Sequence, residues 1–198
     1  MSETSENALS LKEQLFELIV REGAEAFNAF RRRTDYTVLD LSGLDFTGKD
    51  LAGINFSNAN LSGCVFDFAY LAEARLILAD LSRASCKETD FYMAALDEAT
   101  LQHCQLAQAN FAGASLTEAV LTGSLAPLAS FQDADLTGAA LKKTQLSDAD
   151  FSGAILNGAD FRDAEAEWAV FTGAQFDNTT RWGQNRPASL HMGQTSPE

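Results

Sequence analysis

The sequence predicts a repeat solenoid with a narrow, filled interior, and two columns of residues predict it. Read from Leu41 in steps of five, the chain places Leu or Phe at 25 of 28 positions through Phe176, and the register never slips. The three exceptions, Cys86, Ala126 and Ala166, are small. A second column lies two residues earlier. Nineteen of its 28 positions are Ala, and five more are Cys64, Thr89, Cys104, Ser124 and Thr144. Helices and strands repeat at 3.6 and 2, so a period of five is neither. Self-similarity at a fixed period marks a stacked array. A position that must be large beside one that must be small describes an interior filled by the first, where the second lets backbone approach.

Each element can be justified in chain order. Residues 1–9 show no periodicity and are expected to be disordered. Residues 10–37 predict a helical N-terminal cap. Ser10-Leu11-Lys12-Glu13 is a capping box, and Leu11, Leu15, Leu18 and Ile19 form one apolar stripe. Gly23 is a stop or a kink, and the helical pattern resumes to Arg31, Arg32 and Arg33 at the dipole-favoured end. Such a cap is needed because an open solenoid end exposes core and unpaired backbone. Only the first four residues of the small column, Leu39, Leu44, Lys49 and Ile54, are large, and Leu39, Leu44 and Ile54 lie where the cap would sit. Residues 38–178 are the array. Residues 179–198 predict a C-terminal cap around Arg181, Trp182 and Pro187, followed by a disordered tail from 188.

Outward positions are Asp or Asn before the Leu/Phe and Ser or Thr after it, then often Gly, as in ANLSG, ADLTG and ADFSG. In these units the chain resembles the pentapeptide repeat proteins, whose pattern is A(D/N)LXX, over residues 38–178. The resemblance implies an all-β fold, a right-handed quadrilateral parallel β-helix. Each pentapeptide would form one side and four would form a turn. Twenty-eight units imply about seven coils, roughly 34 Å long at about 4.8 Å per strand spacing.

Composition limits function. The chain carries 28 acids against 14 bases, a formal charge of -14. That excludes direct electrostatic binding of nucleic acid, which needs basic patches, and binding to an anionic membrane surface. No apolar run approaches the roughly 18 residues of a membrane span, and no signal-peptide pattern is present. The three cysteines, without metal spacing, read as core thiols of a cytoplasmic protein. Cys64 and Cys104 would lie two coils apart, about 9.6 Å, beyond the roughly 7 Å limit for a disulfide. His103 points outward and His191 lies in the tail, neither with a partner at a recognisable spacing. The aspartates before each Leu/Phe read as turn residues, since Asx side chains bond their own backbone. A filled solenoid offers no pocket, so the expectation is no enzyme, no metal and no cofactor.

Function is therefore expected on the outer surface. With four units per turn, residues twenty apart stack, and four sides follow in chain order from Leu41, Phe46, Leu51 and Phe56. Side 1 carries four acids and four bases; side 2 carries six acids and Lys87; side 3 carries five acids and Lys49; side 4 carries five acids and Arg75. The array thus holds -13 of the charge, on three of its four sides. Val65, Phe68, Leu125, Pro127, Leu128 and Trp168 are apolar outliers on side 2. Leu125, Pro127 and Leu128 around Ala126 read equally as a bulge or a contact patch.

The candidate interaction surface is Asp67, Glu73, Glu88, Asp90, Asp97, Glu98, Leu125 and Leu128, facing a protein partner in a scaffold or regulatory role. Some members of the resembled family are acidic rods that mimic DNA, binding DNA gyrase or topoisomerase IV and protecting it from quinolones. Duplex DNA carries about one charge per 1.7 Å, some 20 over 34 Å, within a factor of two of this array. A type II topoisomerase is therefore the alternative partner. The resemblance also implies an end-to-end homodimer, for which Phe171, Phe176 and Trp182 are the candidate end.

Overall fold

The computed structural model describes residues 9–34 and 38–183. The disordered termini expected from the sequence, with Pro187 and His191, lie outside the described residues.

Helix α1 spans Leu11–Arg33. Its first turn is closed by the reciprocal box: Glu13 N–H donates to Ser10 Oγ at 3.3 Å, and Ser10 N–H donates to Glu13 Oε2 at 2.7 Å. Gly23 breaks the helix with φ 81°, left-handed backbone that glycine adopts without steric penalty. The second half thereby turns to bring Phe27 under the rod.

From Asp40 the chain winds with a step of twenty. Twenty-four parallel single-residue bridges join residue n to residue n+20, from Asp40↔Asn60 to Ile155↔Gln175. Twenty residues are four pentapeptides, so each turn has four sides. The sides are not extended strands. Each contributes one bridged residue and then a tight turn, in which the small-column amide donates to the Leu/Phe carbonyl three residues back, as Ala79 N does to Leu76 O at 3.0 Å. The residue just before that amide is left-handed throughout. All 27 such positions from 43 to 173 have positive φ, and 17 of them are not glycine. The stacked bridges satisfy the remaining polar backbone, so burying it is not penalised.

Inside, the Leu/Phe column and the small column are almost wholly excluded from solvent. Phe46 and Phe66 stack on side 2 at 5.1 Å. From Phe91 the phenylalanines move to side 3, where Phe91, Phe111, Phe131, Phe151 and Phe171 stack at 4.8–5.0 Å within 5° of parallel. Beyond Phe66, side 2 then carries Cys86, Leu106, Ala126, Leu146 and Ala166. The three exceptions to the Leu/Phe column are thus all on one side, where they make room for a neighbouring ring. Total volume is kept, as close packing demands.

The polar members of the small column have a purpose beyond size. Thr89, Ser124 and Thr144 hydroxyls donate to the Phe66, Leu101 and Leu121 carbonyls at 2.7, 2.5 and 3.0 Å. Cys64 and Cys104 thiols donate to Leu41 O and Leu81 O at 3.1 and 2.9 Å. In each case the acceptor lies 23 residues back.

The two ends are closed differently. At the first turn, Phe16 meets the edge of Phe46 at 5.5 Å and Phe27 meets Phe56 at 5.4 Å. Asn28 acts as a piece of backbone: its Oδ1 accepts from Asn55 N–H at 2.7 Å and its Nδ2 donates to Gly53 O at 2.9 Å. Arg31 donates to Ser57 O at 2.7 Å. At the other end, β1 (Asp160–Phe161) pairs in parallel with β2 (Arg181–Trp182). The step there is 21. Thr180 shows the same offset, since its hydroxyl donates to Leu156 O, 24 residues back, at 2.9 Å. Trp182 consequently lands on Phe161, stacked at 4.7 Å, with the edges of Phe171 and Phe176 against it at 5.6 and 5.8 Å.

Candidate interaction surface

The outward acids divide into two kinds. Those immediately before the Leu/Phe hold turns. Asp45 Oδ1 accepts from Thr47 N–H at 2.9 Å and from its hydroxyl at 2.6 Å; Asp135 does the same with Thr137, and Asp177, although it follows Phe176, makes the same pair of bonds with Thr179. The threonine hydroxyl and then its amide hold the Asp45 carboxyl below its usual range. Of the sequence-predicted surface, Asp90 is of this kind, accepting from Tyr92 N–H at 3.0 Å and Asn110 Nδ2 at 2.8 Å. Asp67 and Asp97 follow their Leu/Phe and reach the next turn instead. Asp67 accepts from Ser85 Oγ and Lys87 N at 2.6 and 2.9 Å, and Asp97 accepts from Ser115 Oγ. Glu73, Glu88 and Glu98 occupy left-handed positions, at the outer rim of their turns.

These six acids are not brought together. Asp67 and Glu88 lie on side 2, Glu73 and Asp90 on side 3, and Asp97 and Glu98 on side 4. Leu125 and Leu128 are exposed on side 2. No bulge forms around them. Leu125 bridges Gln105 and Gln145 in register, and Leu128 N–H donates to Ser147 O at 2.9 Å. Of the two readings weighed, the structure removes the bulge. At the candidate dimer end, Phe171 is buried, while Phe176 and Trp182 are partly covered against it.

The three thiols are buried and unpaired. Burial pushes the Cys64 and Cys104 thiols up to about 11 and about 12 and raises Cys86 as well, so all three stay protonated and unreactive.

Sequence reasoning missed one cluster on side 1. Arg162 holds Asp160 with two donors, at 2.9 and 2.7 Å, while Lys142 and Arg181 stand 3.2 and 3.9 Å from the same carboxylate. The Arg162 side chain first, then its amide and Lys142, pull Asp160 down to about 2 against the opposing effect of burial. Lys142 and Arg162 are twenty apart, so the period contained that pair. Arg181 joins it only through the 21-residue step. Lys142, Arg162, Asp163, Trp182 and Gly183 line an open groove of 520 Å³ beside it. A second groove on side 1, of 480 Å³, has Ser62, Ser82, Arg83 and His103 in its walls. Among the described residues, no group of His, Cys, Asp or Glu is arranged to hold a metal ion, and no helix is long and apolar enough to cross a membrane.

The chain is similar in structure to several solved proteins. One is QnrB1, a plasmid-mediated fluoroquinolone resistance protein, in a trypsin-treated variant form, at 19% identity over 74% of this chain and 87% of that one, with a TM-score of 0.46. Another is alr5209, a pentapeptide repeat protein from Nostoc PCC 7120, at 31% identity over 50% of this chain and 77% of that one, with a TM-score of 0.42. A third is HetL, involved in heterocyst differentiation regulation in Nostoc sp. strain PCC 7120, at 22% identity over 76% and 93%, with a TM-score of 0.27. No curated protein sequence matches. The pentapeptide repeats family model matches in eight copies, over residues 40–76, 59–94, 94–124 and 129–165. That match covers more than half of the chain, on the same units whose bridges repeat every twenty residues, and the protein belongs to the pentapeptide repeat family.

Proposed function

We propose that the protein is a non-catalytic interaction module that binds another protein through its outer surface. Pentapeptide repeat proteins are generally non-enzymatic structural or interaction proteins. One observation carries the reading for this chain: the inward columns are confined to Leu/Phe and small residues that form a closed core, so most of the chemical variety between units projects outward. Recognition must then be read from the rod's exterior. The test is a quantitative capture experiment with the full chain. A specific partner should be lost on replacing Leu125 and Leu128 by Ser, with the melting transition unchanged. A partner set indifferent to substitutions on every side overturns the reading.

A second reading has its own support. Three sides carry net charges of -5, -4 and -4, and an acidic rod of this kind would be steered to a basic DNA-binding saddle. On that reading the partner is a type II topoisomerase and the protein modulates it. Purified protein should then change gyrase supercoiling, with or without a quinolone; no effect at micromolar concentration removes it. The interaction-module reading is favoured because many of the carboxylates are already committed to their own turns.

A further inference from the structure

We infer that the corner between sides 2 and 3 is a docking surface for a basic amphipathic helix of another protein. This rests on the reading of the rod as an interaction module and identifies the side that it uses. From Asp40 to Gly183, nine large apolar residues are exposed, and six of them lie here: Phe68, Tyr70, Leu125, Leu128, Trp168 and Val170. Phe68, Leu128 and Trp168 occupy the same ladder, the left-handed position of side 2, with φ of 61°, 60° and 56°. They are 59%, 58% and 77% exposed.

Each of these three is doubly unfavourable in the isolated chain. Left-handed backbone disfavours a bulky side chain relative to glycine or asparagine. A large apolar group left in water gains none of the stabilisation that burial gives. Elsewhere in this array ten such positions are glycine, so the fold accepts the simpler residue. The left-handed backbone itself recurs at all 27 such positions, so what sets side 2 apart is that three of its positions carry large, exposed apolar groups. The six form three exposed apolar pairs, Phe68/Tyr70, Leu125/Leu128 and Trp168/Val170, separated along the rod by polar turns, and exposed apolar clusters rimmed by polar residues mark interaction sites.

The occupant follows from charge and spacing. Glu88 and Asp148 stand in the same ladder, between the apolar residues, and side 2 carries six acids against Lys87. A complementary surface is basic with apolar side chains among its charges. Phe68 and Trp168 are five turns apart, about 24 Å at the strand spacing, which a helix of about 16 residues spans. A duplex mimic has no use for such a stripe.

The test uses two 18-residue helical peptides of equal charge, one of leucine and lysine and one of serine and lysine, titrated calorimetrically into the full chain. The Leu/Lys peptide should bind about tenfold tighter or more. In the triple variant Phe68→Gly, Leu128→Gly, Trp168→Gly the two peptides should become equal, while the melting temperature holds or rises. The corresponding triple Asn variant, tolerated in the same backbone, controls for chain flexibility. Equal affinities in the native chain, or a preference that survives in both triple variants, overturn the proposal. Self-association of the native chain that both variants abolish overturns it in favour of a second copy as the occupant. The interaction-module reading stands or falls separately, on the capture experiment above.

Discussion

The two ends of the rod solve the same problem with very different means. The first turn is covered by a 23-residue kinked helix, which supplies two phenylalanines and an asparagine that stands in for a missing neighbouring turn. The last turn is covered by a one-residue offset and a single indole. The difference teaches that the ends are not chemically equivalent. At the first turn, backbone groups such as the Asn55 amide and the Ser57 carbonyl need polar partners as well as apolar cover. At the last, the chain continues its own bridging, so Asp177 and Thr180 of the same chain supply the partners of the Gly158 amide and Leu156 carbonyl, and one indole shields the aromatic core.

The largest contrast should come from removing each cover whole. Deleting residues 1–34 uncovers Leu39, Phe46, Ile54 and Phe56 together, and the remaining array should lose cooperative melting by calorimetry. Trp182→Ala, by comparison, should lower stability by about 3 kcal/mol in urea titration and leave the transition cooperative. A loss from Trp182→Ala as severe as that from the deletion would reverse the ranking of the ends.

Asn28→Ala sharpens the polar half of the comparison. It leaves the Asn55 amide and Gly53 carbonyl without their partner and should cost about 2 kcal/mol, although it removes almost no apolar surface. At the opposite end the polar component is Asp160. Its carboxyl is depressed to about 2 in the folded chain, so its contribution is complete above the ordinary carboxylate pKa near 4 and is lost as pH falls through about 2. Asp160→Asn should therefore lower the melting temperature at pH 7 and converge on the native chain near pH 2. The smallest effect belongs to the far tip of the cap, where Ser10→Ala should cost about 1 kcal/mol, read from the same titration.

Much of this was legible beforehand because the period of five is set by local sterics. A five-residue unit must turn once, and its inward residues must alternate large with small. The capping box at Ser10, the kink at Gly23 and the burial of the cysteines could be read from neighbouring residues alone. Other features needed distances longer than a unit. The hydroxyls of Thr89, Ser124 and Thr144 look like tolerated small residues until their acceptors, 23 residues back, are in place. The patch around Ala126 was ambiguous because a bulge and an in-register small residue have the same local sequence. The candidate acids, chosen for charge, already fell on three sides by the period, but that they include turn-formers such as Asp90 shows only once the hydrogen bonds are in place.

By itself the sequence determined the repeat, its inward and outward faces and the need for covers, since these follow from side-chain size and polarity at fixed spacing. Only the tertiary structure decided that the phenylalanine rings stack nearly parallel, that Arg181 joins Lys142 and Arg162 around Asp160, and that Phe68, Leu128 and Trp168, placed on one side by the period, sit exposed on left-handed backbone. The physical reason is that size and polarity belong to each residue, while stacking is a relation between residues twenty or more apart. A single-residue change of step, as at Trp182, alters it without altering the composition of any unit.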